Sequence, residues 1–141
     1  MIGDEYWRNQ FRPLLPGIKR LKYNHLEDLS IITEQTAAVF IDPVQAESGV
    51  TVPSPNYMKS LRDRCNETGT LLVLDEIQTG CGRTGKMFAF EDLDIIPDIL
   101  LLAKGFGGGM PLGAFISSSK IMSSLSHDPV LGHITTFGGH P

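Results

Sequence analysis

LLVLDEIQTGCGRTGK, residues 71–86, decides how this chain is read. Four apolar residues stop abruptly at Asp75-Glu76, and a run of glycines and polar residues follows. A short apolar run ended by acids and then by glycines is a buried strand that delivers a carboxylate to a loop. Upstream of it, Ser54 precedes Pro55, and Tyr57, Met58, Leu61 and Cys65 recur at helical spacing as far as Gly69. That pattern predicts an N-capped helix with one apolar side and a glycine stop. Earlier still, residues 37–41 (AAVFI), halted by Asp42-Pro43, read as a strand buried on both faces. Strand, helix and strand in this order make a βαβ crossover, parallel and right-handed.

Working outward, ILLL (residues 99–102) and GAFIS (residues 113–117) are two further strand candidates, separated by the glycine-rich KGFGGGMPLG. A second short helix is predicted over residues 120–125. Asn24 and Glu27 fit the N-cap and N3 positions of a helix near residues 25–35. Residues 1–24 carry aromatic residues and prolines without a period and read as an extended arm or linker. Residues 25–141 then form one α/β unit with functional loops.

Bulk chemistry narrows the partners. The net charge of -4 leaves no basic field for nucleic acid or an anionic membrane surface. No apolar run is long enough to span a bilayer, and the first residues lack the order of a secretory signal. Cys65 and Cys81 have neither zinc-site nor CxxC spacing, so a reduced, cytoplasmic setting is expected. Cys81 is expected to be a buried, small apolar group.

Three chemical readings compete for the loops. Gly80 to Lys86 has GxxxxGK spacing, but Met87 stands where Mg²⁺ needs Ser or Thr, and the acid-ending strand precedes the loop instead of following it. Gly80, Gly82 and Gly85 also satisfy GxGxxG, although four residues separate the loop from its strand and no helix start follows. The third reading pairs Asp75, at the end of one buried strand, with Lys104, just after a later one. Strand C-termini of an α/β sheet form the crevice where ligands bind, so the two side chains converge. A carboxylate there holds a pyridine nitrogen protonated, and a lysine forms a Schiff base with an aldehyde. Those are the two groups that pyridoxal phosphate requires.

The blocks LLVLDEIQTGCGRTGKMFAFE, PDILLLAKGFGGGMPLGAF and HITTFGGHP resemble the signature segments of the class III (ω-amino acid) aminotransferases, with FIDPVQAESGV resembling the block before them. The resemblance runs from about residue 37 to the end. It implies part of the mainly parallel-sheet large domain of a fold-type-I pyridoxal-phosphate-dependent transferase. It also implies roles: Lys104 as the Schiff-base lysine, Asp75 as the partner of the ring nitrogen, Ile77 packed on the ring, and Gln78 near the ring hydroxyl. Thr136 resembles the threonine that reaches the phosphate of the cofactor bound by the other subunit of a homodimer, and Glu47 occupies a substrate-side position. Asp42 departs from the family pattern, standing where glutamate is commoner. The expected reaction is transamination between an amino acid, acetylornithine- or ornithine-like, and a 2-oxo acid. The family's main phosphate loop and its substrate-binding arginine have no counterpart in the 141 residues. The chain is therefore expected to be part of a longer enzyme, with a non-catalytic piece that folds or dimerises as the alternative.

Overall fold

The structure, a computed structural model, describes residues 4–128 together with Val130, Ile134, Thr136 and Gly138. A short helix α1 (Glu5–Asn9) and a 3-10 turn (Leu26–Ile31) lead to strand β1 (Ala38–Ile41), helix α2 (Pro55–Thr68) and strand β2 (Leu71–Asp75). After a 3-10 turn at Ala89–Asp92 come β3 (Ile99–Leu102), a 3-10 turn at Lys104–Gly107, β4 (Ala114–Ser117) and α3 (Ser119–Met122), which runs on into a 3-10 turn at Ser123–Leu125. The sheet order is β1-β2-β3-β4. The first three strands are parallel, and β4 returns antiparallel to β3.

Helix α2 forms where the sequence punctuates it. Ser54 Oγ accepts the amide of Tyr57 at 3.2 Å, Pro55 fills the first turn, and Gly69 leaves the helix at φ 69°, a left-handed conformation that a Cβ would oppose. Its apolar side, Tyr57, Met58, Leu61 and Cys65, packs with Val39, Ile41, Leu72, Leu74, Leu100 and Leu102 of the sheet to form the core. Burying each such leucine contributes roughly 1.5–3 kcal/mol. One carboxylate ties the layers together: Asp98 Oδ2 accepts from Arg62 Nη1 of α2 at 2.8 Å and from the Leu72 amide of β2 at 2.7 Å. It thereby anchors the residue from which β3 starts.

Two expectations are corrected here. The run at residues 37–41 is buried on one face only, because Val39 and Ile41 lie under α2 whereas Phe40 is 61% exposed on the other side. Strand alternation separates them, and an unbroken apolar sequence hides the difference. The short helix expected near residues 25–35 is a 3-10 one, Leu26–Ile31, and Asn24 is not its cap: His25 takes that position without a side-chain capping bond. Asn24, at φ 63°, instead accepts from the Ser54 amide at 2.9 Å and donates to the Val52 carbonyl at 3.1 Å. Its side chain is spent anchoring the arm to the start of α2.

Candidate active site

Because β1, β2 and β3 are parallel, their C-terminal ends open on one side. Asp42 follows β1, Asp75 closes β2, and Lys104 lies two residues beyond Leu102 of β3. The register pairs Ile41 with Leu74 and Asp75 with Leu101, so Asp42 and Asp75 emerge level on adjacent strands, which run about 4.8 Å apart. Asp42 is held above the usual carboxylate range. Partial burial is the larger cause and the like charge of Asp75 the next, while Lys104 pulls the other way. Asp42 is thus within electrostatic reach of both predicted groups. Sequence reasoning passed over it as a site residue, although the signal was the one used for Asp75, an acid directly after an apolar strand.

Asp75 is partly buried, and its Oδ1 accepts the amide of Ile77 at 3.0 Å. Its Oδ2 makes no hydrogen bond among the described residues, so one oxygen remains to accept a proton-bearing ring nitrogen. Lys104 is exposed and sits at φ 48°, after Ala103 in extended backbone. A left-handed conformation at a residue with a side chain costs on the order of 1–3 kcal/mol and persists only where the surroundings impose it. Here the surroundings are the glycine loop, in which a Cβ on Gly107 would meet the Leu112 backbone nitrogen at 3.3 Å. The loop folds tightly back on itself and turns the lysine out from the strand end.

Glu47 lies in a turn closed by the Gln45–Thr51 bridge, and its Oε1 accepts from Gln78 Nε2 at 2.9 Å. Two predicted site residues, far apart in sequence, are therefore in contact. Ile77, partly buried, follows Asp75 directly. Thr136 is exposed and makes no hydrogen bond or ion pair with these groups.

The loop between Asp75 and β3 settles the competing motif readings. Gly82 donates to the Met87 carbonyl at 3.2 Å and Gly85 to the Gly82 carbonyl at 3.2 Å, and the 3-10 turn at Ala89–Asp92 comes next. Residues 80–86 thus close into turns and open no helix N-terminus toward a phosphate, as both nucleotide motifs demand. Cys81 is exposed at φ 60° near the loop tip, contrary to its expected burial, while Cys65 is the buried thiol, pushed up to about 11 by desolvation. Turn formation leaves Cys81 at the surface. Glu76, unremarked in the sequence, is 1% exposed and accepts from Thr79 Oγ1, the Ala89 amide at 3.0 Å and the Phe90 amide at 2.9 Å. Only the doublet itself hinted at it, since neighbouring residues of a strand must face opposite ways.

A mixed, mainly parallel sheet that presents an acid and a lysine at neighbouring strand ends defines a class: the large domain of fold-type-I pyridoxal-phosphate-dependent transferases. Within that class the chain belongs to the Aminotransferase class-III family, which it matches over residues 3–141. It is 46% identical over 136 residues to the acetylornithine aminotransferase of Methanocaldococcus jannaschii, an alignment covering 96% of this chain and 33% of that protein. Among solved structures, the ornithine aminotransferase of Toxoplasma gondii superposes with a TM-score of 0.83 at 37% identity, covering 92% of this chain and 30% of that one. The N-acetylornithine aminotransferase of Stenotrophomonas maltophilia gives a TM-score of 0.70 at 39% identity, covering 74% of this chain and 29% of that one. The chain thus spans about a third of the length of the curated relative it matches.

Proposed function

We propose that this chain supplies the ring-nitrogen acid and the Schiff-base lysine of a pyridoxal-phosphate-dependent aminotransferase that moves an amino group from an acetylornithine- or ornithine-like donor to a 2-oxo acid. The observation that carries the reading is the pairing of register and chemistry: Asp75, whose second oxygen makes no hydrogen bond among the described residues, ends the strand beside the one that leads into Lys104. The cofactor, when bound, supplies an aldehyde and a ring that accepts electrons. Asp75 would hold the ring nitrogen protonated, Lys104 would carry the aldehyde and afterwards move a substrate proton, and Ile77 would lie against the ring. Gln78 would sit at the ring hydroxyl, and Glu47, already bonded to it, would face the substrate side. Thr136 would serve the phosphate of a partner subunit's cofactor in a homodimer. The donor class draws on the names of the relatives, acetylornithine and ornithine aminotransferases.

The test is covalent. Protein mixed with pyridoxal phosphate and reduced with borohydride should carry the cofactor on the peptide containing Lys104, and Lys104→Ala should carry none. Label spread over surface lysines, or retained in Lys104→Ala, would refute the assignment. The second reading, a non-catalytic piece that folds or associates, draws on the open sheet face around Phe40. Wild-type protein with no fixed cofactor would favour it.

A further inference from the structure

Glu76 is the one buried acidic or basic side chain among the described residues, and the proposed chemistry does not use it. It adjoins Asp75, but its carboxyl group turns into the protein and gathers donors from both ends of the loop at residues 77–88. Thr79 belongs to the first turn of that loop, while Ala89 and Phe90 belong to the 3-10 turn that ends it. The Glu76 backbone joins in, with its amide donating to the Leu101 carbonyl of β3 at 3.0 Å and its carbonyl accepting from Gly80 at 2.8 Å. Gly80 has no room for a side chain there, since a Cβ would lie 2.9 Å from the same carbonyl oxygen.

We propose that Glu76 is the positioning residue of this site, a clamp whose carboxyl group shuts the loop at residues 77–88 and so holds Asp75 and Gln78 in register with Lys104. The inference rests on the cofactor reading above, and the loop makes the connection. Its first residue donates to Asp75, its second bonds Glu47, and Cys81 near its tip backs the lysine turn, where a Cβ on Gly105 would come within 3.5 Å of the Cys81 Cβ. Residues 81–87 are exposed, so little packing would keep the loop closed without the clamp. An acid is required for a reason of donor and acceptor count. Both oxygens face backbone amides, one taking Ala89 and the other Phe90, and only a carboxylate presents acceptors on both sides. Glutamine would aim its NH₂ at one of those amides, and alanine would leave both unpaired in a dry site.

The experiment compares Glu76→Gln, Asp75→Asn and the double variant with the wild-type protein. Hydrogen exchange without cofactor reads the clamp alone: in Glu76→Gln the amides of residues 77–90 should lose protection by roughly tenfold, while β1 and β2 keep theirs. With pyridoxal phosphate bound, the pH midpoint of the Lys104-linked absorbance should move in Glu76→Gln in the direction it moves in Asp75→Asn, with no further movement in the double variant. A role confined to stability would lower the melting temperature and leave that midpoint in place. If Glu76→Gln does not fold, Thr79→Ala, which removes one donor to the same carboxyl, carries the same readouts in milder form. Wild-type loop protection in the variant, an unmoved midpoint, or midpoint shifts that simply add would overturn the role of Glu76 alone. A wild-type protein that fixes no cofactor on Lys104 would overturn the cofactor reading itself.

Discussion

An aspartate that is partly desolvated beside another carboxylate resists ionisation, and Asp42 is in that position next to Asp75. Its pKa is raised in the folded chain. Between the ordinary value of 3.8 and the raised one, the folded state holds more proton than the unfolded state, so stability falls as pH rises through that window. The penalty is complete above the window and absent below it. Asp42→Asn should therefore raise the melting temperature at neutral pH by on the order of 2 °C, a small gain because solvent and Lys104 both screen the charge. Melting curves across pH check this, and a gain that persisted below the window, or a loss at neutral pH, would contradict it. Asp75 and Lys104 were legible because each directly follows or ends an apolar run. Glu76 was not, because the amides that give it meaning lie 13 and 14 residues further along the chain.

At the scale of elements, α2 is the piece most plainly written in the sequence, since its start and stop signals act over only a few residues. Ser54→Ala removes the acceptor for the Tyr57 amide and should lower stability by about 1 kcal/mol. Leu61, fully buried against the sheet, should cost about 2–5 kcal/mol when cut to alanine. Urea unfolding compares the two, and equal costs would mean that the cap holds α2 as strongly as the packing of Leu61 does. Asn24 shows where local reading fails. An Asn three residues ahead of a Glu looks like a cap, but its side chain meets better partners 28 and 30 residues on, and a side chain committed there cannot cap. Phe40 fails for a related reason: an apolar run does not record which of its faces another element will cover.

For the whole molecule, the proposed division of labour between subunits can be tested by complementation. Thr136→Val should leave Lys104 able to take the cofactor but weaken its retention by about tenfold, as expected for one lost hydrogen bond to a charged group. Mixing that variant with Lys104→Ala and letting subunits pair at random should restore about a quarter of wild-type activity at limiting cofactor, because each mixed dimer contains one site with both residues intact. Activity no higher than the sum of the separate variants would place Thr136 in the same subunit's site, or in none. By itself the sequence determined the order of strands and helix, the parallel crossover, and the residue types that suit a pyridine nitrogen and an aldehyde, because strand runs, caps and strand-end acids are local patterns. Only the tertiary structure decided that Asp42 joins Asp75 and Lys104 at the strand ends, that Gln78 meets Glu47, that the glycines after Asp75 form a closed turn, and that Glu76 fastens it. Each of those depends on register between strands or on hydrogen bonds across a loop, and a linear chain does not specify such distances until it has folded.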